Sequence, residues 1–223
     1  MNASSCLFQF HRQNLGYGAS PVLPDLTLKI YQGERVALLG ESGTGKSTLL
    51  RHLRELRPKE VAWCPQNPSL VPVLSTFHNI YMGRLAHYSV WYNLANLVRP
   101  QAKPKAEIGE LADSLGLGSQ LWQSAERLSG GQQSRVNLGR ALYQNRPIFM
   151  GDEPVSALDE RQADALLQLL CVRHKTVVLA LHNIEQALTH CTRIIGLRAG
   201  RVVLDAPTHT LNAADLSGLY QVA

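Results

Sequence analysis

One short segment restricts the possible folds of this chain more than any other. GESGTGKST, residues 40–48, lies between the apolar run RVALL and KSTLLRHLREL, whose leucines recur at helical spacing. Its glycines let the backbone bend around an anion with N–H groups pointing inward. The positive end of the following helix adds to the attraction. A strand, this loop and a helix in that order predict a phosphate-binding loop in an α/β fold.

The loop also carries ligands suited to a nucleoside triphosphate. Lys46 can reach the β- and γ-phosphates, and the Ser47 hydroxyl can bind Mg²⁺. The predicted nucleotide contacts in this loop are Gly40, Glu41, Ser42, Gly43, Thr44, Gly45, Lys46, Ser47 and Thr48. The position of the loop between strand and helix makes a chance match improbable, and we predict a nucleotide triphosphate site.

Two adjacent carboxylates end a second apolar run, IFMGDEP. Ligands of open α/β sheets bind outside the carboxyl ends of the strands. Asp152 is therefore placed to hold Mg²⁺ through its water shell, and Glu153 to act as general base on the attacking water. Gly151 is unusual here, because glycine weakens a strand interior unless a neighbour needs the space.

The remaining pattern divides the chain into a core and an insertion. The first third reads as strands, and the last third alternates strand-like and helix-like segments, which predicts parallel βαβ units. An amphipathic run covers 106–117. We predict a single domain, 1–223, with a nucleotide-binding core formed by 1–66 and 128–223 and a helical subdomain at 67–127.

Composition and charge exclude several classes of protein. No apolar run approaches the ~20 residues of a membrane span, and the N-terminal residues lack the pattern of a signal peptide. The net charge of +5 is spread along the chain, which favours a mildly basic surface over a nucleic-acid site. Four scattered cysteines, Cys6, Cys64, Cys171 and Cys191, form no C-x-x-C pair, so we expect small buried thiols and not a metal site.

LSGGQQSR, residues 128–135, resembles the signature motif of ATP-binding cassette (ABC) ATPases. SALD, 156–159, resembles the D-loop of that family, and His182 in LALHN its switch histidine. Tyr17 resembles the aromatic residue that stacks on adenine, and Gln66 the Q-loop glutamine. The resemblance covers nearly the whole chain, and its motifs follow one another in the family's order.

This resemblance implies a fold. We expect a P-loop NTPase core with a mostly parallel sheet, an N-terminal antiparallel β-subdomain and an inserted helical subdomain. The connection between Lys46 and Gln66 is markedly shorter than in most family members, and the missing length normally holds antiparallel strands. We therefore predict that the antiparallel β-subdomain is shortened there and that the strand VAWC delivers Gln66 to the site.

The resemblance also implies roles for residues, with ATP and Mg²⁺ as cofactors. The implied catalytic residues are Lys46, Gln66, Glu153 and His182. The implied Mg²⁺ ligands are Ser47, Gln66 and Asp152. A second anion site, from Ser129, Gly130, Gly131 and Gln132 with Asp159 nearby, would close on the ATP of a second copy in a head-to-tail dimer.

The family resemblance is strongest for the ATPase subunit of a bacterial importer. TFHNIYMGRLAHYSVWYNLANL, with its GRL and aromatics, and the ending CTRIIGLRAGRVVLDAP resemble the phosphonate-importer type. The implied partners are an integral-membrane permease and, indirectly, a periplasmic substrate-binding protein, with the chain peripheral on the cytoplasmic face of the inner membrane. Tyr88, Trp91 and Tyr92 could simply pack the helical subdomain or could also shape the permease contact.

Two other functions remain open at this point. A soluble cassette ATPase could act on nucleic acid or ribosomes, although such proteins usually carry two cassettes or a long coiled-coil insertion, and we expect no nucleic-acid partner. A degenerate cassette could serve only as a scaffold. The presence of Lys46, Asp152, Glu153 and His182 argues against a scaffold.

Overall fold

The structure, a computed structural model, describes residues 5–17 and 20–220. Two long antiparallel strands open the chain, β1 (Cys6–Tyr17) and β2 (Ser20–Tyr31). Their alternating pattern buries one face, including Phe8, Phe10 and Leu28. This period-2 burial is that of a sheet with one face on the core and the other on solvent.

A second, six-stranded sheet forms the centre of the molecule, with the strand order β4-β5-β6-β3-β7-β8. Its strands are β3 (Arg35–Leu39), β4 (Val61–Cys64), β5 (Ile148–Asp152), β6 (Thr176–Ala180), β7 (Arg193–Arg198) and β8 (Arg201–Pro207). The first five in this order pair in parallel, as the alternation of strands and helices predicts.

The last strand departs from that parallel pattern, because β8 runs antiparallel to β7. Ala199 and Gly200 form the connection, with φ values of 47° and 72°. Two consecutive residues with positive φ are typical of a tight hairpin turn. A turn this short permits only antiparallel pairing, since parallel strands need a long crossover.

Helices cover both faces of the central sheet. They are α1 (Lys46–Leu56), α5 (Gly130–Tyr143), α6 (Glu160–Arg173), α7 (Ile184–His190) and α8 (Ala213–Ser217). On one face α1 packs with the β1–β2 sheet, and its Leu49, Leu50 and Leu53 are fully buried. On the other face α5, α6 and α7 share a core with alternate residues of the same strands. The observed α/β fold with a mostly parallel sheet confirms the predicted fold class.

Between β4 and α5 the chain is helical. It forms α2 (Thr76–Tyr81), a 3₁₀ segment (Met82–His87), α3 (Val90–Val98) and α4 (Ala102–Ser114). The predicted helix at 106–117 thus begins earlier, and Pro104 is tolerated because it lies in the first turn. Of these, α2, the 3₁₀ segment and α4 pack on α5, where Gly139 leaves room for Ile80 and Leu115.

The connection between α1 and β4 is as short as predicted. Only residues 57–60 join Leu56 to Val61, and none of them is in a strand. The N-terminal antiparallel sheet has two strands within the described ranges. Among the described strands, β4 is an edge strand of the central sheet, because it pairs with β5 on one side only.

Gly151, the unusual strand glycine, has a packing reason. A Cβ at this position would lie 2.9 Å from Pro154 Cγ, 3.0 Å from Phe149 Cε1 and 3.2 Å from Leu179 Cδ2. The three neighbours fill the space that a larger residue would need. The prediction that a small residue leaves room for a neighbour is confirmed.

Two further findings concern the burial of the cysteines and the length of the apolar helices. Cys64 and Cys191 are buried, Cys171 is half-buried and Cys6 is exposed at the start of β1, so the expectation of four buried thiols was wrong for Cys6 and is met only in part by Cys171. Burial raises the pKa of both the Cys64 and the Cys191 thiol to about 12. Within the described ranges, no helix combines the length and the hydropathy needed to cross a bilayer.

Candidate active site

The phosphate loop is held in place by close backbone packing. Gly40 has φ 141°, and a Cβ there would collide with the carbonyl oxygen of Leu197 in β7. Gly45 has φ 104°, and its Cβ would lie 2.8 Å from Leu23 Cδ2 in β2. Both positions therefore need glycine for its conformation and for its size. The loop is thus packed between β7 of the central sheet and β2 of the N-terminal sheet.

Lys46 begins α1 and folds back over the loop. Its Nζ donates to the carbonyl oxygens of Gly40, at 2.6 Å, and Glu41, at 2.9 Å. The side chain is buried, and burial lowers the pKa of Lys46, while the carboxylates of Glu153 and Asp152 raise it. The ammonium group thus lies inside the loop with acidic groups nearby, where a phosphate oxygen could replace its carbonyl partners.

Asp152 ends β5 beside this ammonium group. Burial raises the pKa of its carboxyl, a hydrogen bond with the Ser47 hydroxyl lowers it, and Glu153 raises it. Its Oδ1 is buried and has no hydrogen-bond partner among the described residues. A buried carboxylate oxygen without a donor is costly unless a ligand completes it. Next to a hydroxyl, it fits a hard cation such as Mg²⁺.

Glu153 follows Asp152 in a strained backbone conformation. Its φ is 52°, in the left-handed region that costs a non-glycine residue about 1 kcal/mol or more. Its N–H donates to the carbonyl oxygen of Ala180 at 3.1 Å, which holds it against the end of β6. Strain of this kind is concentrated at functional sites. The bend turns the Glu153 side chain away from the strand and toward His182.

Glu153 and His182 meet because β5 and β6 are parallel neighbours that end at the same edge. Glu153 Oε1 lies 2.5 Å from His182 Nε2. The Glu153 side chain is 14% exposed and that of His182 is 40% exposed, so the pair opens toward solvent on the histidine side. A carboxylate held by an imidazole at a sheet edge is suited to accept a proton from a bound water.

Gln66 and Tyr17 are less well defined by the structure. Gln66 follows β4 by two residues and is exposed, and no hydrogen bond joins it to Ser47 or Asp152 in the described ranges. Gln66 nevertheless follows the same end of the sheet as Asp152, because Cys64 in β4 pairs in parallel with Gly151 in β5. Tyr17 ends β1, but its side chain falls outside what the structure describes, and its stacking on adenine stays a prediction.

The signature segment forms a separate group at the start of α5. Ser129 caps this helix: its Oγ accepts from the Gln132 N–H at 3.3 Å, and its own N–H donates to Gln132 Oε1 at 2.9 Å. Ser129 and Gly130 are exposed. In the described part of the chain no hydrogen bond connects them to the phosphate loop. A helix N-terminus in this state is a ready anion site.

Asp159, from the SALD segment, lies near this second group. It caps α6, and its Oδ1 accepts from the Gln162 N–H at 2.9 Å. The Ala157 carbonyl oxygen would be 3.2 Å from a Cβ at Gly131, so the segment 156–159 packs directly against the signature helix. Sequence reasoning predicted neither the capping of α6 by Asp159 nor this packing, and the role of Asp159 at a second anion site stays a prediction.

Two residues near the site were missed by sequence reasoning. Arg51 lies one helical turn after Ser47 and lowers the pKa of Asp152; its i,i+4 spacing from Ser47 was a usable signal. Tyr220 donates from its hydroxyl to the carbonyl oxygen of His182 at 3.4 Å. Nothing local in the sequence indicates that contact.

Comparison with known proteins agrees with this arrangement. The ABC transporter family model matches residues 23–58 and 52–156. The phosphonates import ATP-binding protein PhnC 2 of Pseudomonas aeruginosa strain UCBPP-PA14 is 37% identical over 89% of this chain and 84% of its own length. PhnC of Anaeromyxobacter dehalogenans strain 2CP-C is 35% identical over 92% of this chain, which spans 46% of that protein's length.

Solved structures show the same likeness. The dimeric structure of MJ0796, a bacterial ABC transporter cassette, has a TM-score of 0.76 at 26% identity, covering 90% of this chain and 98% of that one. A second structure of the same cassette, dimeric in a post-hydrolysis state bound to ADP and phosphate, has a TM-score of 0.73, covering 90% of this chain and 96% of that one. By sequence match, fold and site, the chain belongs to the ABC transporter family and is one of its ATP-hydrolysing cassettes.

Proposed function

We propose that this cassette is the ATPase subunit of a bacterial importer and that it works as a head-to-tail homodimer with two ATP molecules at the interface. One observation carries the dimer. The chain has two anion-binding features, the phosphate loop with Lys46 and the exposed start of α5 at Ser129, and no hydrogen bond joins them in the described part of the chain. Each ATP would therefore contact the loop of one copy and the signature segment of the other.

The phosphate loop and Lys46 bind and orient the nucleotide. Loop N–H groups and the Lys46 ammonium donate to the β- and γ-phosphates, which stabilises the charge that moves during phosphoryl transfer. Ser129, Gly130, Gly131 and Gln132 of the second copy would close over the γ-phosphate, with Asp159 at the same interface. Mg²⁺ held by Ser47, Asp152 and Gln66 would neutralise charge on the phosphate oxygens.

Glu153 and His182 perform the proton step. A water on the far side of the γ-phosphorus gives a proton to the Glu153 carboxylate as its oxygen bonds to phosphorus, and the bond to the bridging oxygen of ADP breaks. His182 holds the carboxylate through Nε2 and would also contact the γ-phosphate. The contact distance of 2.5 Å between the two side chains supports this pairing.

The helical subdomain, 67–127, provides the proposed contact with the permease. Five exposed apolar side chains form what we call the apolar patch on α3: Val90, Trp91, Leu94, Leu97 and Val98. A groove of about 360 Å³ runs beside the patch, between α3 and residues of α2 such as His78 and Tyr81. Contiguous apolar surface of this kind marks a protein contact.

The proposed location and cargo follow from the named relatives. A cassette docked on an integral-membrane permease would be peripheral on the cytoplasmic face of the inner membrane, and a periplasmic substrate-binding protein would deliver the cargo to the permease. The PhnC relatives are named for phosphonate import. A phosphonate or a related small anion is therefore the proposed cargo.

The dimer is tested with Glu153→Gln, which removes the base but keeps the shape of the side chain. We expect ATP binding to persist, hydrolysis to fall about 100-fold or more, and the protein to elute as a dimer in size-exclusion chromatography only with ATP and Mg²⁺. Glu110→Gln, an exposed change on α4, is the matched control. A Glu153→Gln protein that binds ATP yet elutes as a monomer would contradict the dimer.

The importer assignment is tested separately. The cassette is co-expressed with the permease that co-purifies with it, and the purified complex is assayed in vesicles for ATP-driven uptake of a radiolabelled alkylphosphonate. Uptake that stops with Glu153→Gln supports the assignment. A wild-type cassette without turnover, even with its permease, would refute it.

A further inference from the structure

The last described segment of the chain returns to the active site. After α8 the backbone turns tightly, and the N–H groups of Leu219 and Tyr220 donate to the carbonyl oxygens of Leu216 and Ser217 at 3.1 and 3.2 Å. Leu216 and Leu219 are buried. The segment is therefore an ordered part of the core with its side chains in defined positions.

This segment is anchored on β7. Gly196 has no side chain, and a Cβ there would lie 2.7 Å from Leu219 Cδ2, so the leucine fills the space over the strand. Arg198 donates to the carbonyl oxygen of Gly218 at 3.4 Å. β7 pairs with β3, the strand that leads into the phosphate loop. The position of Tyr220 is thus set by the same strands that position that loop.

The Tyr220 hydroxyl reaches the loop that carries His182. It donates to the His182 carbonyl oxygen at 3.4 Å. Burial raises the pKa of Tyr220, so its phenol stays a neutral donor. The strand that anchors this segment also touches the phosphate loop, because a Cβ at Gly40 would collide with the carbonyl oxygen of Leu197 in β7.

We infer that Tyr220 is a positioning residue for ATP hydrolysis, whose hydroxyl ties the loop that carries His182 to the segment anchored on β7. His182 contacts the Glu153 carboxylate at 2.5 Å, so a shift of its backbone would move the Glu153–His182 pair relative to the bound phosphates. Small displacements at a reacting centre reduce rates strongly. The inference rests on the roles proposed above for Glu153 and His182.

A purely structural role for Tyr220 makes a different prediction. Its ring packs against the core formed with α6 and α7, and that packing needs only the ring. Tyr220→Phe keeps the ring and removes only the hydroxyl. If the residue acts only through packing, this substitution leaves hydrolysis unchanged.

The test compares Tyr220→Phe with Tyr31→Phe, a matched change at the end of β2. For Tyr220→Phe we expect kcat to fall about threefold to tenfold, the size of one lost hydrogen bond. We expect KM for ATP to stay within about twofold, because the phosphate loop is intact. We expect Tm to stay within about 2 °C of Tyr31→Phe.

Three results would overturn the inference: an unchanged kcat, a fall in kcat matched by a rise in KM, or a fall matched by a lower Tm. Glu153→Gln is assayed in parallel. If Glu153→Gln still hydrolyses ATP normally, the proposed roles of Glu153 and His182 fail. If Glu153→Gln is inactive while Tyr220→Phe is normal, only the inference about Tyr220 fails.

Discussion

Two regions of this molecule are incomplete in opposite ways. The catalytic edge, formed by Lys46, Asp152, Glu153 and His182, holds buried charges, a strained backbone and a carboxylate oxygen that has no hydrogen-bond partner among the described residues. The apolar patch on α3 exposes hydrophobic side chains, with Trp91 82% and Val98 87% exposed. The first needs charge and hydrogen bonds, and the second needs burial. The contrast indicates a polar, phosphorylated ligand at one and a protein surface at the other.

The support beneath the two regions also differs. Behind the catalytic edge lie β5 and β6, whose residues are all buried. Beneath the patch lies a layer of aromatic rings: Tyr81 stacks on Tyr88 with 6.1 Å between centroids, and Tyr88 packs on Tyr92 at 4.8 Å. Tyr88 and Tyr92 thus pack the helical segment, which is the packing role considered for them from the sequence. Trp91, in contrast, is exposed to solvent.

Loss of the Lys46 ammonium should have the largest effect. Lys46→Ala removes the charge proposed to bind the β- and γ-phosphates, and we expect kcat/KM for ATP to fall about 100-fold or more, equal to about 2.7 kcal/mol. Steady-state phosphate release measures it. Lys59→Ala, an exposed change after α1, is the control. A Lys46→Ala protein with normal kcat/KM would show that the catalytic edge does not use the Lys46 ammonium for ATP hydrolysis.

Overpacking behind the catalytic edge should come second. Gly151→Val places two methyl groups against Pro154, Phe149 and Leu179, and we expect the free energy of unfolding to drop by about 1–3 kcal/mol. Urea denaturation followed by circular dichroism measures it. Gly109→Ala on α4, where a Cβ meets nothing within 4 Å, is the control. If Gly151→Val is as stable as Gly109→Ala, the dense packing assigned to this edge is wrong.

A charge in the apolar patch should affect binding alone. Leu94→Glu places a carboxylate in the proposed permease contact, and we expect the affinity for the permease to fall about tenfold or more while ATP hydrolysis by the isolated cassette stays unchanged. Leu56→Glu, an equally exposed leucine on α1, is the control. Microscale thermophoresis in detergent measures the affinity of each variant for the permease. Equal affinity for both variants would show that the patch is not the contact.

The layer beneath the patch gives the smallest expected effect. The Tyr81 hydroxyl donates to Asn93 Oδ1 at 2.9 Å in a buried setting that raises its pKa to about 12. Tyr81→Phe leaves that oxygen without its donor, and we expect a loss of about 1 kcal/mol in stability, with ATP hydrolysis intact. Tyr92→Phe is the control, and thermal unfolding is the measurement. A change in hydrolysis with Tyr81→Phe alone would show that the two regions are coupled.

Local patterns explain why much of this protein was predictable. The phosphate loop depends on glycines and a lysine that lie within a few residues of one another, between a strand and a helix. Its geometry is therefore encoded in neighbouring residues. The capping of α5 by Ser129 and Gln132 is likewise a contact between residues three apart. The strand and helix positions follow from periodic burial, which is also local.

Other features depend on residues far apart in the chain. The direct hydrogen bond between Ser47 and Asp152 forms because α1 packs on β5, which no local pattern shows, although the family resemblance implied that both bind Mg²⁺. The exposed position of Cys6 depends on the face of β1 that packs on α1. The apolar patch exists because α2, α4 and α5 bury one another's apolar faces and leave that of α3 partly uncovered.

The sequence by itself determined the family of this protein and predicted its chemistry: a nucleotide loop, one carboxylate proposed to hold Mg²⁺, one proposed as general base, and a proposed second anion site. Only the tertiary structure decided how these groups are joined. It placed Glu153 against His182, left an oxygen of Asp152 open for a ligand and brought Tyr220 from the far end of the chain to the same edge. The reason is physical: a motif specifies local backbone geometry, whereas contacts between distant residues follow from strand order and packing.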